Sequence, residues 1–508
     1  MCGIAAIIDP TPDTTSAGRI RERERELIAM LDRIRHRGDP ECFGERMVDA
    51  EIAFGTNRLA IVDREHARQP QSDPDEQVWV IYNGELYGFP KIRRELERLG
   101  HRFRTASDTE VIVHAYLEWG EAMLDRLNGM FAFVLYDRRQ KSFLAARDHV
   151  GIKPLYYLET EGVYRFASEQ KCLLRYQGEI HTLEPGTYLK NGNLTRYFTF
   201  NEEPSAISDR DAVQRYRELF DNAVRDQVDT DLPVAVTFSG GIDSAAVLCT
   251  ARKHHPSVTA VTIGFEGAAD VEVARRYCRE HGIPQIISQL DRAALIDIIP
   301  EIVYGAEFFE AIDVMDTCVG YFAFKLAKEH GFKLALCGEG SDEVLAGYDL
   351  FKSHPDPLDL VRYRVNNLHR TDLQRVDRSS MMNSVETRVP FMDRRLLEFS
   401  YNLPMSMKLR GGVEKWLLRE AFRDRLPGYI VNRPKVRMPD GTGMKNTLAE
   451  YASQPVDLDG IAEHLGIDTP QGAFFLKLYL EAGFPIPKER FKRPGYDYSP
   501  NGYFEFVS

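Results

Sequence analysis

The chain has 508 residues, 43% of them hydrophobic and 28% charged, which is long for one core and suits two or three domains with ordinary interiors. Its formal net charge of −12 argues against a partner held by electrostatic attraction, nucleic acid above all. Apolar runs are short (residues 234–238 are typical) and fall far below the ~20 residues that span a bilayer, which excludes a membrane-spanning chain.

The first residues, MCGIAAIIDP, lack a basic n-region and meet an acid at Asp9, so they do not read as a secretory signal. Residues 77–82 alternate and run into the turn-like Asn83-Gly84, residues 130–136 are apolar and aromatic, and 142–146 follow a charged DRRQK turn. All three predict strands. Helices are expected over 18–34 and 108–124, the second with Ser107 as N-cap and Glu110 at the capping-box position. Together these predict an α+β sandwich of antiparallel sheets with helices packed on them.

The polar stretch 201–211 reads as a linker. Beyond it, strands expected at 233–238, 258–265 and 333–337 alternate with helices at 243–253 and 271–281, the pattern of a parallel doubly wound sheet. From about residue 355 the pattern is mainly helical. The expected organisation is therefore a first domain over 2–200, a second over 212–490 and a poorly ordered tail over 491–508. The seven cysteines (2, 42, 172, 249, 278, 318 and 337) are odd in number, scattered and free of any CxxC pair. They form neither a disulfide framework nor a zinc site, and a cytoplasmic setting is expected.

Two loops in the second domain carry chemistry. Phe238-Ser239-Gly240-Gly241-Ile242-Asp243-Ser244 joins a strand to a helix, where glycines let backbone N–H groups approach phosphate oxygens and the helix N-terminus adds its positive dipole end. It lacks the GK[ST] ending of a Walker loop, so it should not hold a β,γ-phosphate in that way. Cys337-Gly338-Glu339-Gly340-Ser341-Asp342-Glu343 again follows a short apolar strand. Alone, either is no more than a glycine-rich turn or an acidic loop. Together at the carboxyl ends of strands they suit the crevice where open α/β sheets bind ligands, with Asp243 and Asp342 sharing a magnesium–pyrophosphate site. At the other end, removal of Met1 would leave Cys2 with a thiol and an α-amine of pKa roughly 7.7–8.0 that can act as its own base; one terminal cysteine is otherwise an ordinary buried strand residue.

Longer motifs give these features a family. MCGIAAIID, Arg35-His36-Arg37-Gly38, NRLAIVD at 57–63, YNGELY at 82–87, SDTE at 107–110, LNGMFAF at 127–133 and RDHVGIKP at 147–154 resemble a class II glutamine amidotransferase domain. SGGIDS, GEGSDE, SVETRVPFMD at 384–393 and Arg433-Pro434-Lys435 resemble the synthetase domain of the asparagine synthetase B family. The resemblance covers most of residues 2–445 and implies an Ntn-type sandwich followed by a PP-loop ATP pyrophosphatase domain.

The resemblance implies that the Cys2 thiolate attacks the side-chain amide of glutamine and releases ammonia. Asn83 and the Gly84 N–H would form the oxyanion hole, Arg58 would hold the glutamine α-carboxylate, Asp108 and Glu85 its α-ammonium and nearby polar atoms, and Ile61 would complete the pocket. ATP would then adenylate a substrate carboxylate, and ammonia arriving by an internal tunnel would displace AMP. Ser239, Gly240, Gly241 and Ser244 would cradle pyrophosphate, Thr237, Ile263 and Gly338 would contact the nucleotide, and Asp243 and Asp342 would hold Mg2+. Lys435 would stabilise charge at the reacting centre, and Glu339, where β-lactam synthetases carry Tyr, would assist ammonia transfer. The family also implies a homodimer, with no nucleic-acid or membrane partner.

The acceptor departs from the family. Asparagine synthetases carry Thr-Thr-Ile-Arg some 20 residues before GEGSDE; here the stretch is Ile312-Asp313-Val314-Met315. Met315 cannot pair with an α-carboxylate, and an unpaired charge in a dry pocket is costly, while Glu310, Asp313 and Asp316 make the segment acidic. Met315, Asp313, Tyr348 and Glu386 are the expected acceptor residues, and a small carboxylic acid other than aspartate is the expected acceptor, either amine-bearing or neutral. The alternatives are a true asparagine synthetase, a β-lactam-synthetase-like ring former and a nucleotide-binding relative without turnover.

Overall fold

The computed structural model describes residues 2–9, 17–203, 206–435, 451–452, 456, 458, 460–467 and 469–487. The tail expected over 491–508 lies outside the described residues. The chain divides into two compact units, Met1–Thr199 and Phe200–Ser508.

The first unit holds two six-stranded antiparallel sheets. One contains β1 (Cys2–Ile8), β2 (Glu45–Val48) and β3 (Ile52–Arg58); the other contains β4 (Gln71–Ser72), β5 (Val78–Leu86), β6 (Gly129–Asp137) and β7 (Ser142–Arg147). Side chains alternate along each strand. Ile4, Ala6 and Ile8 of β1 meet Ile81, Val134 and Tyr136 of the other sheet in a shared core. Ala5 and Ile7 point outward onto α1 (Ala17–Arg33), whose Leu27, Met30 and Leu31 cover that face. Phe131, Phe133 and Leu135 pack instead under α2 (Phe89–Arg98) and α3 (Asp108–Trp119). Both faces of each central strand are thus buried, which is why β6 reads as a continuous apolar run.

Two local expectations change. Asn83-Gly84 is no turn: β5 runs through it, and Gly84 sits opposite Phe131 in the register with β6. A Cβ on Gly84 would lie 2.1 Å from the Met130 carbonyl oxygen, so glycine serves close strand approach here. Ser107 caps α3 by accepting from the Thr109 N–H at 2.9 Å, but Glu110 reaches past the cap to the N–H groups of Arg104 and Thr105 at 2.8 and 2.7 Å.

The second unit opens with α4 (Asp209–Gln227) and then builds a parallel five-stranded sheet. In chain order come β13 (Val234–Thr237), α5 (Ile242–His254), β14 (Val258–Gly264), α6 (Ala269–Glu280) and β15 (Gln285–Gln289). Then follow α7 (Arg292–Asp297), α8 (Ile299–Ala306), α9 (Ala311–Glu329) and β16 (Leu334–Leu336). The closing part holds α10 (Ser341–Val344), α11 (Leu350–Ser353), α12 (Pro357–Asn367), α13 (Asp372–Met381) and β17 (Glu386–Arg388), then α14 (Arg394–Tyr401), α15 (Met405–Lys408) and α16 (Trp416–Phe422). The strands that feed the two glycine-rich loops, β13 and β16, are neighbours at the middle of the sheet. (Strands β8 to β12, Tyr156–Thr160, Val163–Ala167, His181–Thr182, Thr187–Lys190 and Asn193–Arg196, complete the first unit.) No described helix is long and apolar enough to cross a membrane.

Candidate functional site

In the first unit the alternation of β1 and β5 turns Cys2 and Asn83 toward the space between the sheets. The Cys2 backbone N–H donates to Asn83 Oδ1 at 3.0 Å. Asn83 Nδ2 is buried and has no hydrogen-bond partner among the described residues, an unusual state for an amide donor. Gln69 Nε2 points toward the Cys2 sulfur at 3.6 Å, its amide fixed by the backbone of Tyr82 through bonds of 2.7 and 3.1 Å. Burial pushes the Cys2 thiol up, and Arg58, its register partner on β3, pulls it back toward the thiolate.

Arg58 is itself engaged: its Nε lies 3.1 Å from Glu45 Oε2, and its Nη2 lies 3.4 Å from the Cys42 sulfur. A ligand carboxylate must share this guanidinium with Glu45. Asp108 heads α3 and accepts from the Leu86 N–H at 3.1 Å, while Ile61 and Glu85 are buried in the same unit. Gln69 and Glu45 carried no sequence signal: Gln69 reaches the cysteine from the loop before β4, and Glu45 meets Arg58 across the pairing of β2 with β3.

In the second unit one cavity at the carboxyl ends of β13 and β16 is lined by Thr237, Ser239, Asp243, Ser244, Ile263, Gly338, Glu339, Asp342, Tyr348 and Lys435, so ten of the expected residues meet there. Gly240 and Gly241 shape the turn behind them: Gly240 takes a φ of 75°, and α5 starts after Gly241 with no side-chain cap. A Cβ on Gly338 would lie 2.9 Å from that of Asp243, so the second loop can cross the first only as glycine.

Asp243 and Asp342 come together around a residue that sequence reasoning missed. Lys415 Nζ lies 2.5 Å from Asp243 Oδ2 and 2.6 Å from Asp342 Oδ1, and its side chain is 1% exposed. Its φ of 55° is left-handed, a strained backbone for lysine at the start of α16. Lys435 Nζ completes the cluster 2.7 Å from Asp342 Oδ2. Burial alone would raise the Asp342 carboxyl, but Lys415 and Lys435 hold it well below the usual carboxylate range. Asp243 and Asp342 both line the cavity, and carboxylate oxygens are the hard donors that Mg2+ takes.

The acceptor residues need correction. Met315 is fully buried and does not line the cavity; α9 presents Asp316, Val319, Gly320 and Ala323 there, and Met315 sits about 100° around the helix from Asp316. Asp313 is held by Arg375 Nη1 at 2.7 Å. Glu386 lies at the amino end of β17, opposite Leu334 and away from the carboxyl-end crevice, and its carboxylate is bonded by Arg388 Nε at 2.6 Å. The cavity's guanidinium comes from α13 instead: Arg375, with Asp372 from the same helix.

Glu339 lines this end of the cavity. Burial, with Asp372 adding its negative charge, pushes its carboxyl up to about 8 against the pull of Arg375. The native state then holds a proton that the unfolded chain releases near the ordinary value of 4.5, so stability falls as pH rises between those values. Glu339→Gln is expected to melt progressively higher than the wild type as pH goes from 5 to about 8, with the gap levelling off above. Thermal melts across that range check it; a gap independent of pH would refute the assignment.

Comparison with known proteins follows the same division. A family model for a glutamine amidotransferase domain matches residues 1–216, and one for asparagine synthase matches 215–364 and 352–483. Asparagine synthetase (glutamine-hydrolyzing) 2 of Arabidopsis thaliana is 34% identical over 97% of this chain and 89% of its own length. A probable asparagine synthetase of Dictyostelium discoideum is 31% identical over 96% of this chain and 94% of its own. The solved structure of a B. subtilis glutamine phosphoribosylpyrophosphate amidotransferase, complexed with ADP and GMP, aligns with 56% of this chain and 65% of its own at 16% identity and a TM-score of 0.32.

Proposed function

The chain belongs to the glutamine-hydrolysing asparagine synthetase family, and from that premise we propose that it moves ammonia from glutamine onto the ATP-activated carboxylate of a small acid other than aspartate. A glutamine amidotransferase joined to an ATP-dependent synthetase is the general activity. In the first half, Cys2 is the nucleophile on the glutamine amide, and the buried Asn83 Nδ2 donor supports an oxyanion hole completed by the Gly84 N–H. Arg58, Ile61, Glu85 and Asp108 hold the amino-acid end.

In the second half, Ser239, Gly240, Gly241 and Ser244 face the phosphates, and Thr237, Ile263 and Gly338 face the nucleoside. Asp243 and Asp342 would hold Mg2+, which offsets charge on the departing pyrophosphate. Lys435 stabilises the reacting carboxylate. A cytoplasmic setting and a homodimer belong to the same reading.

The acceptor assignment rests on Arg375. Aspartate brings a second carboxylate that needs a cation, and Arg375 already meets Asp313 at 2.7 Å and Asp372 more closely still. The names of the relatives favour asparagine synthesis as the competing reading. Pyrophosphate release with ATP, Mg2+ and glutamine decides between them. No stimulation by aspartate, with glutamine still hydrolysed, is the expected result; strong stimulation with asparagine formed would overturn the proposal.

A further inference from the structure

Gln69 is buried on the loop before β4, and its amide is held in one orientation. Its Oε1 accepts the Tyr82 backbone N–H at 2.7 Å, and its Nε2 donates to the Tyr82 carbonyl oxygen at 3.1 Å. Turned over, the amide would set an NH2 group against an N–H and an oxygen against a carbonyl oxygen. A primary amide carries two N–H groups, and the bond to the Tyr82 carbonyl uses one of them. The other is directed at the Cys2 sulfur, 3.6 Å from Nε2 and within reach of an N–H donor because sulfur is larger than oxygen.

Such a donor does little for a neutral thiol and more for a thiolate, since a hydrogen bond to a charged partner is roughly twice as strong. Arg58 and Thr56 on β3 and the Leu59 backbone N–H also favour the thiolate, against burial, which opposes it. The nearby guanidinium groups are shared with carboxylates. Arg58 meets Glu45 at 3.1 Å, and Arg37, which donates to the Cys2 carbonyl oxygen at 3.4 Å, meets Glu169 at 2.7 Å. The second N–H of Gln69, by contrast, is directed to the sulfur itself.

Taking Cys2 as the nucleophile on glutamine, we infer that Gln69 is a further catalytic residue of that reaction, its second amide N–H donating to the Cys2 thiolate. With Met1 removed, the thiol proton passes to the α-amine of Cys2; Gln69 keeps both of its hydrogens and forms no covalent bond. Tyr82, which clasps the amide, directly precedes Asn83, so the sulfur and the oxyanion donor are positioned from one stretch of β5.

The test alkylates the full-length protein with iodoacetamide from about pH 5 to 10 and follows the N-terminal peptide by mass, which separates Cys2 from the other cysteines. In Gln69→Leu the midpoint for Cys2 is expected about one pH unit above that of the wild type. Alkylation should be slower below both midpoints and faster above them, because a less stabilised thiolate is scarcer at low pH and more nucleophilic once formed. The acid limb of glutaminase kcat is expected to move up in step. Damage to the Tyr82 clasp alone would lower kcat at every pH through Asn83 and leave the alkylation midpoint in place. Gln69→Glu still accepts the Tyr82 N–H but brings a carboxylate toward the sulfur, and is expected to move the midpoint up further. Melting curves report that the variants fold. An unmoved midpoint in either folded variant, with alkylation of wild-type Cys2 abolishing glutamine hydrolysis, overturns the inference and leaves Cys2 as the nucleophile. Glutamine hydrolysis that survives alkylation of Cys2 overturns that reading and the inference with it.

Discussion

Cys2→Ala is expected to abolish glutamine hydrolysis, by about 10⁴-fold or more, while ammonia-dependent amide synthesis continues at the wild-type rate. The thiol is the group in the first unit that combines a nucleophile, a neighbouring cation in Arg58 and an adjacent buried amide donor without a partner. The substitution removes one sulfur from the start of β1, whose seven backbone pairs with β3 remain, so the fold should persist. Asn83→Ala provides the companion measurement. It deletes the orphan Nδ2 donor together with the acceptor of the Cys2 N–H at 3.0 Å, and a drop of about 10²–10³ in glutaminase kcat is expected with little change in KM. Glutamine turnover surviving in Cys2→Ala would remove Cys2 from the mechanism. Loss of the ammonia-dependent reaction in the same variant would mean that the first unit does more than supply ammonia.

The sequence carried those parts of both sites that local chain chemistry determines, and lost those that pairing across the fold determines. The glycine-rich loops were legible because strand, turn and helix follow one another within a dozen residues, and Asp243 and Asp342 fell where the spacing put them. Asn83-Gly84 misled because an Asn-Gly pair is a turn signal only when nothing else competes; here nine register pairs between β5 and β6 hold it extended. Position 315 misled for a different reason. Counting back from GEGSDE is accurate to a residue, but one residue on a helix is about 100°, enough to turn Met315 into the core and Asp316 into the cavity. Arg375 could not be found by spacing at all, since it reaches Asp313 from a helix some 60 positions along the chain.

Lys415 was equally silent, and its replacement by methionine carries the second large expected effect. The ammonium lies between Asp243 Oδ2 and Asp342 Oδ1 with its side chain all but fully buried. Deleting it leaves Asp243 and Asp342 sharing Lys435, which lies 2.7 Å from Asp342 but 3.9 Å from Asp243. Breaking a buried ion pair from one side typically costs about 3–5 kcal/mol, and the remaining negative charges favour proton uptake by one carboxyl. Lys415→Met is therefore expected to lower the melting temperature of the second unit and to reduce pyrophosphate release by about 10²-fold or more, with glutamine hydrolysis unchanged. Lys435→Met separates the two consequences. Its ammonium meets Asp342 at 2.7 Å from a position that solvent reaches, with the side chain 27% exposed, so its loss should cost pyrophosphate release with little cost in stability. Two variants of one cluster, one unstable and inactive, the other stable and inactive, are the expected pair. If Lys415→Met melts like the wild type, the lysine does not bridge the carboxylates in the folded protein. If it still releases pyrophosphate at the wild-type rate, Asp243 and Asp342 are not the charged centre of the reaction.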